Sequence, residues 1–171
     1  RLFNSTGPVN ITTYTSQTFS INWTSLPDSR YLFNVTVFDV VSNQNSTATR
    51  NISLDTTRPA ISYNPTTDAN NSFLSRNWVL VNISTTDTNL QAVRLNWNGA
   101  NETFTNNAGS NYWSNKSGLT DGNYTFYAWA NDTAGNMNQT GTRTVLTDTG
   151  APLISIIYPA NIIYNVNVSQ L

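Results

Sequence analysis

Short stretches of alternating apolar and polar residues, or of clustered β-branched residues, run along this chain, and turn-forming residues close each of them. From Tyr124 to Ala130 the alternation sets Tyr124, Phe126, Ala128 and Ala130 against Thr125, Tyr127 and Trp129. A period of two is that of a strand with one buried face. Trp78 to Ser84 and Leu90 to Trp97 have the same character. Asn98-Gly99, Ala108-Gly109, Asp121-Gly122 and Ala134-Gly135-Asn136 break the runs at roughly the 8 to 12 residue spacing of all-β domains. No window carries a capped helical period. Between residues 58 and 148 the pattern predicts seven strands: Ala60 to Tyr63, Trp78 to Ser84, Leu90 to Trp97, Glu102 to Asn106, Asn111 to Ser114, Tyr124 to Asn131 and Thr140 to Leu146. That number in about 90 residues suits a two-sheet sandwich of immunoglobulin type, strands A to G.

The chain also repeats itself. Residues 26–62 align without a gap on 119–155 at an offset of 93, with 15 of 37 positions identical. The identities include Leu26/Leu119, Asp28/Asp121, Tyr31/Tyr124, Phe33/Phe126, Asp39/Asp132, Asn43/Asn136, Asn45/Asn138, Arg50/Arg143, Asp55/Asp148, Pro59/Pro152 and Ile61/Ile154. Arg1-Leu2 falls on Arg94-Leu95 at the same offset, so the chain is expected to open partway through a copy. Leu119 to Phe126 resembles the tyrosine corner that precedes strand F in immunoglobulin-like domains, and Leu26, Asp28, Tyr31 and Phe33 repeat it. Phe126 stands where antibody domains place their second Cys, so apolar packing alone must join the sheets.

The segment Asp121-Gly-Asn-Tyr-Thr-Phe-Tyr-Ala-Trp-Ala-Asn-Asp-Thr-Ala-Gly-Asn136, with Asp148-Thr-Gly-Ala-Pro152 and Asp55-Thr-Thr-Arg-Pro59, resembles the tandem immunoglobulin-like repeats of archaeal cell-surface proteins, with bacterial adhesin repeats as cousins. The resemblance implies a surface role and lends no catalytic residue. The expected organisation is all-β, one complete module and two complementary partial ones. Residues 1–57 supply strands C to G of one module, 58–148 form a whole one, and 149–171 carry strands A and B of a following one. A head without A and B would expose Phe33, Val35 and Val37, an aggregation hazard. The tail would cover such a face with Ile154, Ile156, Val166 and Val168, the last two echoing Val79 and Val81. A heterologous contact of this kind propagates a fibre. Either separate copies exchange strands, or the chain is one unit of a longer tandem array.

Composition narrows the chemistry. The chain of 171 residues has no Cys and no His, which excludes a thiolate nucleophile, a His-dependent triad and the usual zinc sites. Eight Lys and Arg against nine Asp and Glu leave a net charge of -1 and no basic face for nucleic acid. No stretch approaches the roughly 18 apolar residues of a membrane-spanning helix. No signal peptide precedes Arg1, which reads as the start of a mature or excised piece. Charged residues are only 10% of the chain, and Asn, Thr and Ser contribute 70 of its residues, the composition of an extracellular surface.

That polarity is organised. Fourteen Asn-x-Ser/Thr acceptor sequons occur, at Asn4, Asn10, Asn22, Asn34, Asn45, Asn51, Asn70, Asn82, Asn101, Asn115, Asn123, Asn131, Asn138 and Asn167, an excess of about twofold over chance placement. Asn22, Asn82 and Asn167 each sit between two apolar residues and so point away from a core. Covalent N-glycans are the expected solubiliser, and no cofactor is expected. Asp39 and Asp132 at the F–G turn, and Asp55 and Asp148 at the module boundary, are the oxygen donors that could hold Ca²⁺. With Glu102 the single Glu and few carboxylates near each other, turn formation accounts for them without a metal. Trp23, Trp78, Trp97, Trp113 and Trp129 read as sandwich packing, with Trp129 the candidate for an interface, and Arg50 and Arg143 as surface residues or module braces. The expected protein is therefore not an enzyme. It is a glycosylated extracellular structural subunit whose partners are copies of itself, the alternative being an adhesin stalk that binds carbohydrate or protein.

Overall fold

The computed structural model describes residues 1–157 and 163. Among them every regular element is a strand. The first 54 residues carry β1 (Leu2–Asn4), β2 (Gly7–Asn10), β3 (Ser29–Phe33), β4 (Thr36–Phe38), β5 (Gln44–Ser46) and β6 (Arg50–Leu54). These make one antiparallel sheet in the order β2-β1-β3-β6 and a separate hairpin, β4-β5. Ten strands follow: β7 (Ala60–Tyr63), β8 (Ser72–Leu74), β9 (Trp78–Thr86), β10 (Leu90–Trp97), β11 (Ala100–Glu102), β12 (Asn106–Ala108), β13 (Asn111–Ser117), β14 (Gly122–Asp132), β15 (Met137–Gln139) and β16 (Arg143–Thr147).

These ten strands form two sheets. One has the order β12-β13-β9-β7, the other β11-β10-β14-β16-β8, with β15 paired to β14. Two alternating rows explain why the sheets face each other. In β9, Val79, Val81, Ile83 and Thr85 point inward; in β14, Phe126, Ala128, Ala130 and Asp132 do, and all eight are buried. Val79, Val81, Leu95, Phe126 and Val145 form one core cluster, lined by Tyr63, Leu74, Trp97, Phe104, Leu119 and Tyr124. Trp97 stacks on both Tyr124 and Phe126, at 5.4 and 5.8 Å between ring centres. The strand order is that of an immunoglobulin-like sandwich, with β7, β9, β13 and β12 in the places of A, B, E and D, and β10, β14 and β16 in those of C, F and G.

The expected corner is present twice. The Tyr124 hydroxyl donates to the carbonyl of Thr120 at 2.9 Å, and that of Tyr31 to Pro27 at 2.8 Å. Asn98-Gly99 turns β10 into β11 with both residues at positive φ, 48° and 87°, the geometry of a tight hairpin turn.

Four readings of the sequence require correction. Glu102 to Asn106 is not one strand: β11 ends at Glu102 in one sheet, β12 begins at Asn106 in the other, and Phe104 between them packs into the core. Thr140 to Leu146 begins later, at Arg143, because the Thr140 hydroxyl takes up the N–H of Ala128 at 2.9 Å instead. β8 escaped notice, since three residues pairing in parallel with β16 carry no period of their own. In the head, residues 11–28 form no strand. In the complete module β13 is held by seven register pairs to β9, and the head has no such strand beside the corresponding segment.

Candidate functional site

Offset by 93 residues, the head sheet reproduces half of the sandwich. Strands β1, β3 and β6 correspond to β10, β14 and β16, and the hairpin register Thr36↔Ser46, Val37↔Asn45, Phe38↔Gln44 becomes Trp129↔Gln139, Ala130↔Asn138, Asn131↔Met137. What differs is cover. Phe126, Ala128, Ala130 and Val145 are fully buried. At the matching head positions Phe33 is half-buried, and Val35, Val37 and Ile52 are 41%, 60% and 49% exposed. Leu2 is buried in the head as Leu95 is in the module, and Tyr31 is fully buried where Tyr124 is half-buried, so the sheet itself is sound. Trp23 gives the one aromatic cover, 6.1 Å from Phe33.

The other end of the chain holds the converse surface. Residues 149–157 have no regular structure; Ile154 and Ile156 are 89% and 84% exposed, and Leu153, Ile157 and Ile163 are also open. Leu153 to Ile156 matches β7 at the repeat offset, and in the module Ile61 and Tyr63 of β7 pack on the core. Val166, Val168 and Asn167 lie outside the described residues.

Between head and module, a joint is built mainly from residues that the repeat duplicates, with Thr57 and Asn89 added to them. Asp28 receives the N–H and hydroxyl of Thr56 at 2.9 and 3.0 Å, and the hydroxyl of Thr57 at 2.9 Å. The next module holds the chain there in turn. Asn136 Nδ2 donates to the carbonyl of Asp55, and Asn138 Nδ2 to that of Pro59, both at 2.9 Å. Asn89 Nδ2 donates to Asp55 Oδ2 at 2.6 Å. Asp132 orients Asn136 by accepting its N–H at 2.8 Å and its Nδ2 at 2.7 Å.

The electrostatics follow from these donors. Asp28 is held below the ordinary carboxylate range, foremost by the N–H of Thr56. Asp121 is lowered in the same way, foremost by the N–H of Thr149. Asp39 is lowered by the Asn43 side chain and then its N–H. Burial alone would raise Asp132, but the Asn136 side chain and the N–H groups of Asn136, Ala134 and Gly135 together bring it down.

Of the four calcium candidates, Asp55 and Asp132 come together, joined by Asp87; the three offer carboxylate oxygens within 4.8 Å of one another. Oxygen donors suit Ca²⁺, which takes six to eight of them. Here Asn136, Asn89 and Thr57 already donate to Asp132 and Asp55. Asp39 and Asp148 belong to no such group among the described residues. Sequence reasoning missed Asp87 and Asn89, whose only signal was the turn before β10. A groove of about 770 Å3 beside this joint is lined by Asp28, Arg30, Asp55, Arg58, Asp87 and Asn89 among others.

None of the thirteen described sequon asparagines is buried. Asn10, Asn22, Asn45, Asn51, Asn70, Asn101, Asn115 and Asn123 are exposed, and Asn4, Asn34, Asn82, Asn131 and Asn138 half-exposed. Two half-buried tryptophans lie beside sequons: Trp113 is opposite Asn82 in the register, and Trp129 Nε1 donates to Asn101 Oδ1 at 3.2 Å. Trp97 packs on the core as its pattern suggested; Trp78 does not, because it lies outward under the Arg76 guanidinium, 3.5 Å from its ring centre. Arg143 braces its own module, donating to the carbonyls of Thr67 and Asp68 at 3.2 and 2.7 Å.

No family model matches this chain, and no curated protein matches it. Among solved structures it is similar to an engineered protein, at 18% identity and a TM-score of 0.38, over 53% of this chain and 20% of that one. It is similar to the fibronectin(III)-like modules of Clostridium thermocellum CbhA, at 13% identity and 0.40, over 85% of this chain and 74% of that one. It is also similar to Bacteroides ovatus SGBP-B from a mixed-linkage glucan utilization locus, solved with a mixed-linkage heptasaccharide, at 16% identity and 0.27, over 86% and 38%. The chain thus spans a fifth of the first of these and under two-fifths of the last.

Proposed function

We propose that this chain is a structural subunit of an extracellular, N-glycosylated filament or surface layer, assembled head to tail by sharing strands between copies. The observation that carries the reading is the uncovered inner face of the head sheet: Val35, Val37 and Ile52 are open where Ala128, Ala130 and Val145 are sealed. Ile154 and Ile156 of a second copy would seal it as Ile61 and Tyr63 of β7 seal the module. Burying five such side chains, Val35, Val37, Ile52, Ile154 and Ile156, contributes on the order of 10 kcal/mol. Association costs about 4–15 kcal/mol, so the ladder hydrogen bonds of an added strand are needed to make the joint durable. The role assigns the chain no reaction. Its likeness to the repeats of archaeal surface proteins supports the same reading, and the exposed sequons suit a coat of glycans that replaces the missing charge.

The test is assembly itself. Purified protein should form filaments in electron micrographs, removal of residues 149–171 should abolish them, and a peptide of that sequence added in excess should cap growth. A chain that stays monomeric and extended in light scattering at every concentration would point to the adhesin stalk and refute the subunit role.

A further inference from the structure

The joint between head and module has both of its halves displayed a second time, apart. At the head, Asp39 and Asn43 form the same turn as Asp132 and Asn136. Asn43 donates its N–H to Asp39 Oδ1 at 2.9 Å and its Nδ2 to Asp39 Oδ2 at 2.7 Å, and Asp39 N–H returns to the Asn43 carbonyl at 3.0 Å. The module values are 2.8, 2.7 and 3.1 Å. In the module the second amide hydrogen of Asn136 reaches Asp55; that of Asn43 has no acceptor among the described residues. At the other end, Asp121 receives the N–H and hydroxyl of Thr149, both at 2.9 Å, as Asp28 receives those of Thr56. Asp148 accepts Gly150 N–H at 3.0 Å as Asp55 accepts Thr57 N–H at 3.1 Å. Burial follows occupancy. Asp132 and Pro59, inside the made joint, are fully buried, whereas Asp39 and Pro152 are exposed.

We infer that the Asp39–Asn43 turn and Asn45 form a socket for residues Asp148–Pro152 of a second copy. Asn43 Nδ2 donates to the Asp148 carbonyl and Asn45 Nδ2 to the Pro152 carbonyl, reproducing between chains the joint that Asn136 and Asn138 make with Asp55 and Pro59 within one. The inference rests on head-to-tail assembly and adds what that assembly lacks, a fixed angle between successive copies. Strand sharing alone would complete each sandwich but leave its orientation to the linker. With the socket, every junction along the filament repeats the one geometry seen between head and module. All four residues that make the contact are identical in the two copies, Asn43/Asn136, Asn45/Asn138, Asp55/Asp148 and Pro59/Pro152. The residues between Asp55 and Pro59, which make none of those bonds, are free to differ and do at two of three positions.

The absence of Cys makes a direct test simple. Val41→Cys and Ala151→Cys forms of the 171-residue chain, which keep every side chain of the proposed contact and place both thiols on exposed positions of its two segments, are mixed and treated with a short bis-maleimide, beside a second pair, Val35→Cys and Ile154→Cys, that reports the shared strand. Cross-links in both mixtures are the expected result. A cross-link in the strand pair alone overturns the socket and leaves strand sharing standing; a cross-link in neither overturns both; one in the socket pair alone keeps the socket and refutes strand sharing. As a second reading, Asn45→Ala, which within its own chain loses only a contact to the adjacent Ser46 N–H among the described residues, should raise the critical concentration for assembly about fivefold, the worth of one hydrogen bond, with the melting temperature of the dilute monomer followed beside it. An unaltered critical concentration would also overturn the socket.

Discussion

Asn138 lies in an acceptor sequon, yet its amide nitrogen is committed to the carbonyl of Pro59 across the joint. A sugar on Nδ2 would remove one of its two hydrogens and place bulk at a half-buried seam. Site mapping of protein isolated from its native source should therefore find Asn138 bare and, on the proposed glycan coat, exposed Asn22, Asn51 and Asn123 occupied; an occupied Asn138 would contradict the joint as described. A second residue-scale case is the corner. The Tyr124 hydroxyl donates to the Thr120 carbonyl from a packed ring, so Tyr124→Phe deletes that hydrogen bond, with the longer 3.3 Å contact to the Thr120 hydroxyl, and leaves the ring stacked on Trp97. That should cost about 1 kcal/mol and lower the melting temperature of the module by roughly 4–8 °C. Calorimetry of the variant checks it, and no shift would mean that the corner is ornamental.

Among the elements, β7 and β10 coincide at both ends with the strands that alternation and turn residues mark. The inward row of β14 was likewise legible in Phe126, Ala128 and Ala130. Legibility fails where pairing, not pattern, decides. β8 exists because β16 offers it an edge, and the split between β11 and β12 is hidden because Glu102, Phe104 and Asn106 keep the alternation while the chain changes sheets. The joint was visible as identities between copies, Asn43/Asn136 and Asp55/Asp148, but what those residues bind was not, because Asp87 and Asn89 come from a segment that the repeat does not cover. The same logic separates two equivalent phenylalanines. Phe126→Ala empties the centre of a closed core and should cost about 3–5 kcal/mol, enough to unfold much of the module in a urea titration. Phe33→Ala, on a face half open to water, should leave the module's transition in place and suppress assembly. Equal losses of module stability from both would show that the head face is already covered.

Across the whole molecule, stability should be flat with pH over a wide range, and its limits can be reasoned from the groups that titrate. With no His, no side chain has an ordinary pKa between about 5 and 8. On the acid side stand Asp28, Asp39, Asp121 and Asp132, all lowered in the folded chain. A lowered carboxylate stabilises fully above its unfolded value near 3.9. That contribution fades as pH falls below this value and is gone once pH has passed the folded pKa. On the alkaline side, burial raises Tyr63 above its usual 10, against the opposing pull of the neighbouring Thr140 side chain and of Arg143. The unfolded chain then gives up that proton first, so stability falls as pH rises past about 10. All four lowered carboxylates orient the module exits or the turns at Asp39 and Asp132, whereas Tyr63, the shifted group that packs against the apolar clusters, titrates only in alkali. Acid should therefore loosen joints before it melts sandwiches. Filaments followed by electron microscopy between pH 3 and 5 should lose their regular repeat at a pH where the near-ultraviolet circular dichroism of the packed tryptophans is still native. Simultaneous loss of the two signals would mean that the carboxylates support the modules themselves and not the angle between them.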